Sequence, residues 1–177
     1  MHRRRFQGFT ALELLVTMGV VAILLAASIP AFKDYSWNLR MKTAMDTLQT
    51  DLNLARGRAI SHNIQTVICP ALGPDDCSGY PDWENGWIVF TDLNGDRQKQ
   101  AGEPLIKQAG AVELINISSS RGRSYLRFYP NGTSPGSNIS ILFCDRRGAN
   151  HAGNIVVSNS GRIRMQTSGI EATANCP

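Results

Sequence analysis

Two arginines separated by one residue stand near the C-terminus, within segment 161–166 (GRIRMQ). Alternate side chains of a β-strand point to opposite faces, so a strand here would direct Arg162 and Arg164 to solvent and Ile163 and Met165 inward. Two guanidinium groups about 7 Å apart on one strand face suit successive phosphates of a nucleic acid. Because phosphate contacts carry no base information, the segment predicts binding that is electrostatic and indifferent to sequence.

Further arginines of the C-terminal third could extend this surface. From residue 118 onward there are seven arginines, no lysine and two acidic residues, a charge of +5 against +4 for the whole chain. The additional candidates for contacting nucleic acid are Arg121, Arg123, Arg146 and Arg147. No aromatic residue is interleaved with the arginine pair, which argues against a stacking platform for single strands. Tyr125, Phe128 and Tyr129 could serve only if the fold brings them near.

A single carboxylate interrupts the apolar segment 9–32, in which Glu13 is the one charged residue among 24. That length suffices for one membrane-spanning helix, and the arginines at positions 3 to 5 would hold its N-terminus in the cytoplasm. A carboxylate in hydrocarbon is costly unless it is paired, so Glu13 predicts a partner. Cleavage between Gly8 and Phe9 would create one, because the new α-amino group would lie about one helical turn away.

The four cysteines follow this apolar segment, and an exported domain is expected to oxidise them into two disulfides. Three connectivities are possible. Pairing Cys69 with Cys77 and Cys144 with Cys176 would close one short and one medium loop, and this is the pairing that we predict. Oxidised cysteines are then not available as metal ligands or nucleophiles.

An acidic loop imitates a calcium site, with Asp92, Asn94 and Asp96 at alternate positions and Glu103 eleven residues after the first. The sixth position of such a loop requires glycine for its sharp turn, and here it is Arg97. We therefore predict a polar hairpin turn rather than a calcium site. His62 and His151 form no metal-like cluster with cysteines, and no Ser or Cys has a recognisable base. We predict no metal, no cofactor and no catalytic residue.

The elements that must position these residues are one long helix and a set of short strands. An apolar stripe at spacings of three and four predicts an amphipathic helix over 33–62, through Met41, Met45, Leu48, Leu52, Ala55 and Ala59. Strand candidates, rich in β-branched and aromatic residues, are 65–69, 86–91, 104–107, 112–117, 125–129, 139–144, 154–158 and 162–167. The predicted class is α+β, with the helix packed on a mostly antiparallel β domain over 63–177.

The N-terminal motif of Gly8, Phe9, Thr10 and Glu13 resembles the processing site of type IV prepilins and type II secretion pseudopilins. The resemblance implies that residues 1–8 are a leader, which a prepilin peptidase removes before methylating the amine of Phe9. It also implies that Glu13 helps to dock subunits into a filament. Loss of the leader would leave 15 basic and 14 acidic side chains, a net charge of +1.

Motifs in the middle of the chain make the family resemblance more specific. Segment 67–70 (VICP), Cys77, Trp83, segment 86–92 (GWIVFTD), Asn94 and segment 103–105 (EPL) follow in an order similar to the GspH/FimT/FimU family. The motif of Gly161, Arg162 and Arg164 resembles that of FimT, a minor pilin that binds DNA in natural transformation.

This family resemblance implies the type IV pilin fold and a minor pilin as the function. Such a protein is held in the bacterial inner membrane by one helix, with its C-terminal domain in the periplasm, and later enters the extracellular pilus. Its partners would be other major and minor pilins, the prepilin peptidase and DNA. Two alternatives stay open: a FimU-like structural subunit that primes pilus assembly, and a GspH-like pseudopilin of type II secretion.

We expect cleavage between Gly8 and Phe9, because the small residue precedes the apolar segment instead of following it. Mass spectrometry of the filament-associated protein should show an N-terminus at residue 9 that carries a methyl group. An intact leader, or cleavage beyond Ser28, would contradict the prepilin interpretation.

Overall fold

The computed structural model describes residues 9–166 and Cys176. Its single α-helix, α1, runs over Ala11–His62. The Thr10 hydroxyl caps this helix by accepting a hydrogen bond from the backbone N–H of Glu13 (3.2 Å). The chain divides into two compact units, one before Arg40 and one from Arg40 onward.

Within the described residues of the first unit, large apolar side chains are exposed along α1, among them Leu15, Ile23 and Phe32. No helix in the part of the chain that the structure describes is both long enough and apolar enough to cross a membrane. The leader over residues 1–8 lies outside the described residues.

The second unit begins with the amphipathic part of α1, whose apolar stripe is buried as predicted. Met41 retains 6% of its exposure, and the other members from Met45 to Ala59 retain none. These side chains pack in one cluster with both sheets of the domain. Full burial of a large apolar side chain contributes about 1.5–3 kcal/mol, so this stripe accounts for much of the attachment of α1 to the domain.

Eight strands form two four-stranded sheets in which every pair is antiparallel. The first sheet has the order β3-β2-β1-β5, with β1 Thr66–Pro70, β2 Trp87–Thr91, β3 Leu105–Ala109 and β5 Leu126–Phe128. The second has the order β4-β6-β7-β8, with β4 Asn116–Ser119, β6 Ile139–Cys144, β7 Gly153–Val157 and β8 Ile163–Gln166. A 3₁₀ turn, Ala149–His151, precedes β7. The predicted α+β architecture is confirmed.

The strand predicted over 112–117 was wrong in its position, because β4 covers Asn116–Ser119. Leu114 has a φ of 66°, a left-handed conformation that interrupts an extended strand. The ladder with β6 starts only after this residue and continues through Ser118 and Ser119, which pair with Leu142 and Ile141. Backbone geometry at Leu114 therefore overrides the apolar pattern that favoured the earlier start.

A buried hydrogen bond joins α1 to the first sheet, where the indole Nε1–H of Trp87 donates to Asp51 Oδ2 (2.8 Å). A smaller apolar cluster lies on the other face of that sheet, formed by Val67, Cys69, Ile88 and Phe90. Tyr125 packs against this smaller cluster at its edge.

Both disulfides have the predicted connectivity. Cys69 is bonded to Cys77 with a Cα–Cα distance of 5.6 Å, and Cys144 is bonded to Cys176 with a distance of 5.5 Å. No cysteine remains free. The second bond closes a sequence separation of 32 residues, which ties the C-terminal end to the end of β6.

An ion pair directly follows Cys144. Arg147 Nη2 donates to Asp145 Oδ2 at 2.7 Å, and the Asp145 side chain is fully buried while that of Arg147 is 12% exposed. Burial opposes ionisation of Asp145, but hydrogen bonds from the side chain and backbone of Arg147, with its charge, lower the pKa below the usual 3.8. Asp145 therefore stabilises the fold above that pH, and this stabilisation is lost as the pH falls through the lowered pKa.

Arg147→Met should lower the free energy of unfolding at pH 7 by about 3 kcal/mol, because it leaves a buried carboxylate without its counter-charge. Urea unfolding at pH 7 and pH 3 measures the effect, and the loss should be smaller at pH 3, where the unpaired carboxylate is protonated. The matched control is Arg121→Met at an exposed position, which should change stability by less than about 0.5 kcal/mol. Equal stability of Arg147→Met and wild type at pH 7 would refute the role of this pair.

Candidate nucleic-acid interface

The turn between β7 and β8 positions the arginine pair. Gly161 has a φ of 77°, and its N–H donates to the Ser158 carbonyl (2.8 Å) while the Ser158 N–H donates to the Arg162 carbonyl (3.1 Å). A Cβ atom at Gly161 would collide with the carbonyl oxygen of Gly132. That same oxygen accepts a hydrogen bond from Arg56 Nε of α1 (2.9 Å). Glycine is therefore required for this turn to lie against Gly132 and the helix.

The strand after this turn has the predicted alternation. Ile163 and Met165 are half-buried and pack against the core, whereas Arg162 and Arg164 are exposed. β8 is the edge strand of the second sheet, and Arg164 is paired across the ladder with Val156 of β7. Both guanidinium groups thus stand at the border of the solvent-facing side of this sheet.

A groove of about 530 Å³ lies on that same side, beside the arginine pair. Arg121 and Arg123 line it together with Asn138 and Ser140, and Val156 and Ser158 of the β7 segment line it as well. We call it the arginine groove and include Arg162 and Arg164 at its border, because Val156 is the cross-strand neighbour of Arg164. None of the described residues that line it is acidic.

Arg123 is held in place within the arginine groove. Its Nη1 donates to the Gly136 carbonyl (2.7 Å) and its Nη2 to Asn138 Oδ1 (3.3 Å). A guanidinium group has five N–H donors, so three remain for a ligand after these two bonds. Arg121 is exposed. The groove therefore combines one oriented arginine with others that are open to solvent.

Arg146 and Arg147 do not join this groove. They follow the end of β6 at Cys144, whereas the groove lies at the beginning of that strand, at Ile139 and Ser140. Six residues of strand separate the two ends by about 17 Å. Arg147 is paired with buried Asp145, and Arg146 lines a different hollow together with Glu84 and Asn116. Of the six candidate arginines, Arg121 and Arg123 thus line the groove, and β8 with Arg164 runs next to Val156 at its border.

Sequence reasoning missed the neutral polar residues of the groove, namely Ser120, Asn138, Ser140, Ser158 and Asn159. The one pattern that could have indicated them is the alternation along β6, because Ser140 lies between the buried Ile139 and Ile141 and must face outward. The Ser140 hydroxyl donates to Asn154 Oδ1 (2.9 Å) across the strands. Serines are too common on sheet surfaces for this pattern to indicate a site without the fold.

The acidic loop is a polar connection in a β-hairpin, as predicted, because it joins the adjacent antiparallel strands β2 and β3. Asp92 and Glu103 are buried, and their carboxylates accept hydrogen bonds from backbone N–H groups of the loop. Burial raises the pKa of Asp92, the hydrogen bonds from Gly95 and Arg97 oppose this, and the charges of Glu103 and Asp96 add to the increase. Among residues 9–166 and 176, no group of three or more His, Cys, Asp or Glu residues could hold a metal ion.

At the N-terminal end, Phe9 is 82% exposed and Glu13 is exposed in the first turn of α1. Thr10 and Glu13 have the spacing of a capping box, in which the N-cap hydroxyl accepts the N–H of the residue three positions later. Gly8 lies outside the described residues. Cleavage at Gly8 and the docking role of Glu13 stay predictions.

Solved structures of two pilin-type proteins share this fold. The type IV minor pilin FimU of Pseudomonas aeruginosa matches with a TM-score of 0.57 and 18% identity over 71% of this chain and 87% of FimU. The minor pseudopilin EpsH from the type 2 secretion system of Vibrio cholerae matches with a TM-score of 0.52 and 10% identity over 72% and 97%. The fold class of a long helix with antiparallel sheets is therefore that of pilins.

Sequence comparison also finds relatives of this chain among pilin-like proteins. The pilin-like protein PilA1 of Thermus thermophilus is 26% identical over 170 residues, covering 90% of this chain and 98% of PilA1. A fimbrial protein of Dichelobacter nodosus is 29% identical over 104 residues, 55% of this chain and 61% of that protein. The family model described as type II transport protein GspH matches residues 44–161. Because this match covers more than half of the sequence, the chain belongs to the GspH family of pilin-like proteins.

Proposed function

We propose that this protein is a minor type IV pilin whose arginine groove binds the phosphate backbone of DNA for uptake in natural transformation. The observation that carries the proposal is that Arg121 and Arg123 line one groove without acidic lining, and that Val156 of the same groove is the cross-strand neighbour of Arg164 on a separate segment. An anionic polymer would meet positive charge on both sides of this surface.

The chemistry of the groove fits a backbone ligand better than a base-specific one. Arginine forks match the oxygens of a phosphate in a bidentate way, and serine hydroxyls are common donors to phosphate oxygens. No aromatic residue is among the described residues that line the groove, so nothing there offers a stacking surface for bases. We infer binding that depends strongly on salt and weakly on sequence.

The N-terminal segment supplies the pilin part of the proposal. Apolar side chains of α1 are exposed, including Leu15, Ile23 and Leu24, and we propose that segment 9–32 anchors the protein in the inner membrane before assembly. The domain would then lie in the periplasm until the protein enters the pilus. The exposed Glu13 would pair with the amine of a processed N-terminus, and other pilins would be the partners.

A structural role without DNA binding is the alternative. FimU is a type IV minor pilin and EpsH is a minor pseudopilin of type 2 secretion, and this chain has the fold of both. Under this alternative Arg162 and Arg164 would contact neighbouring subunits. The same exposed, edge-strand position would serve such contacts, so the two functions must be separated by experiment.

The double variant Arg162→Ala/Arg164→Ala should remove about two phosphate contacts from the complex with DNA. The slope of log affinity against log salt should flatten by roughly 1.8 on duplex DNA, with an equal loss of affinity for unrelated sequences. Fluorescence anisotropy with the full chain in detergent measures both quantities. The control Lys107→Ala removes an exposed positive charge from β3 of the other sheet and should leave the slope unchanged.

In cells, the double variant should reduce transformation while pili continue to assemble. The structural alternative gives the opposite result, with loss of pili in the variant and no DNA binding by the wild type. A wild-type protein that binds no duplex DNA even at low salt would end the proposal.

A further inference from the structure

A second hollow, which we call the Arg97 pocket, shares a chain segment with the arginine groove. Its volume is about 540 Å³, and its lining includes Leu72, Cys77, Arg97, Lys99, Ser124 and Tyr125. Ser124 directly follows Arg123, which lines the groove, and consecutive Cα atoms are about 3.8 Å apart. Consecutive residues of one segment therefore line the two hollows.

The backbone of Arg97 adopts a conformation that side chains disfavour. Its φ is 70°, a value at which glycine is the usual residue. Its N–H donates to Asp92 Oδ2 (3.2 Å), which fixes this turn within the polar loop. Backbone strain of this kind is concentrated at functional sites, so a strained residue in the wall of a pocket is a candidate for a functional role.

That side chain is held over an aromatic ring. The Cζ atom of Arg97 lies 5.1 Å from the centroid of the Tyr125 ring, and Nη1 donates to the Tyr125 hydroxyl (2.6 Å). Tyr125 in turn packs against the apolar cluster on the outer face of the first sheet. The Tyr125 ring thus lies against the guanidinium group, while Arg97 as a whole is exposed.

The charges of the pocket favour a base with its phosphate over an isolated anion. Arg97 and Lys99 are balanced by Asp76 and Asp96, so the lining has no net charge. The Asp96 carboxylate already accepts hydrogen bonds within its own loop, from Asn94 Nδ2 (3.0 Å), Gln100 Nε2 (2.6 Å) and the Gln98 N–H (2.8 Å). Lys99 Nζ donates to the Gln100 carbonyl (2.8 Å), which leaves two of its three donors for a ligand.

We propose that the Arg97 pocket takes one unpaired nucleotide at the end of DNA held in the arginine groove. The base stacks on the Arg97 guanidinium, as bases do on arginine planes in single-strand recognition, and Lys99 contacts the adjoining phosphate. A paired base cannot enter because it lies inside the duplex stack. The volume is within the range of small-ligand pockets, about 300–1,000 Å³. This inference rests on the proposed DNA binding and adds a preference for frayed or overhanging ends.

The test compares a blunt duplex with the same duplex carrying a short single-stranded overhang, by anisotropy with the full chain in detergent. The wild type should bind the overhang duplex at least about fivefold more tightly, since stacking of one base is worth that much. Arg97→Asn should abolish the preference and leave blunt-end affinity unchanged, because asparagine tolerates the positive φ. Lys99→Gln should weaken the preference, whereas the matched control Lys107→Gln, on β3, should keep it.

Equal affinity of the wild type for both duplexes would overturn the assignment of the pocket while leaving the arginine groove intact. Binding of neither duplex would instead end the proposed function on which it rests. Thermal unfolding checks each variant, and if Arg97→Asn does not fold, Lys99→Gln decides. A full overhang preference in Lys99→Gln would then refute the assignment.

Discussion

The packing of the α1 stripe between the two sheets is the contact on which the rest of the domain depends. Met45, Leu48 and Leu52 are fully buried there, and a Cβ atom at Gly153 of β7 would collide with the Met45 sulfur. Helix and second sheet therefore approach as closely as a glycine permits. Because both sheets share one core with the helix, each sheet depends on the helix to hold its outer face in position. The same helix also carries Arg56, whose bond to Gly132 supports the turn at Gly161.

The predictable part of this structure is the part that local patterns decide. Spacing identified the buried stripe of α1, and alternation identified the outward arginines of β8, because both follow from the geometry of a single element. For the disulfides, the sequence left three connectivities possible, and the structure has the one that was chosen. The start of β4 was not predictable, because the positive φ of Leu114 is a local exception that its apolar neighbours conceal. The helix was predicted correctly because its stripe has six apolar members, so that one irregular residue would not have hidden the pattern.

The site was less predictable than the fold, because it is made by tertiary proximity. Nothing in the sequence separates Arg121 and Arg123 from Arg146 and Arg147, since all four follow strands in a basic region. Only the sheet order β4-β6-β7-β8 places the first pair at the groove, with β6 and β7 between it and β8, and the second pair about a strand length away. The partner of Arg147, Asp145, was visible as a neighbour in sequence, but its burial was not.

The position of the arginines has a second physical explanation that must be weighed against ligand binding. An edge strand exposes unpaired backbone groups, and charged side chains on it discourage pairing with another sheet. Arg162 and Arg164 on β8 would meet that need without any ligand. Edge protection, however, requires nothing of Arg123, which lies outside β8 and is oriented by Gly136 and Asn138. It also does not require a groove without acidic lining next to that edge. Protection of the edge therefore explains where one pair lies, and Arg121 and Arg123, which line the groove from another segment, are what favour an anionic partner.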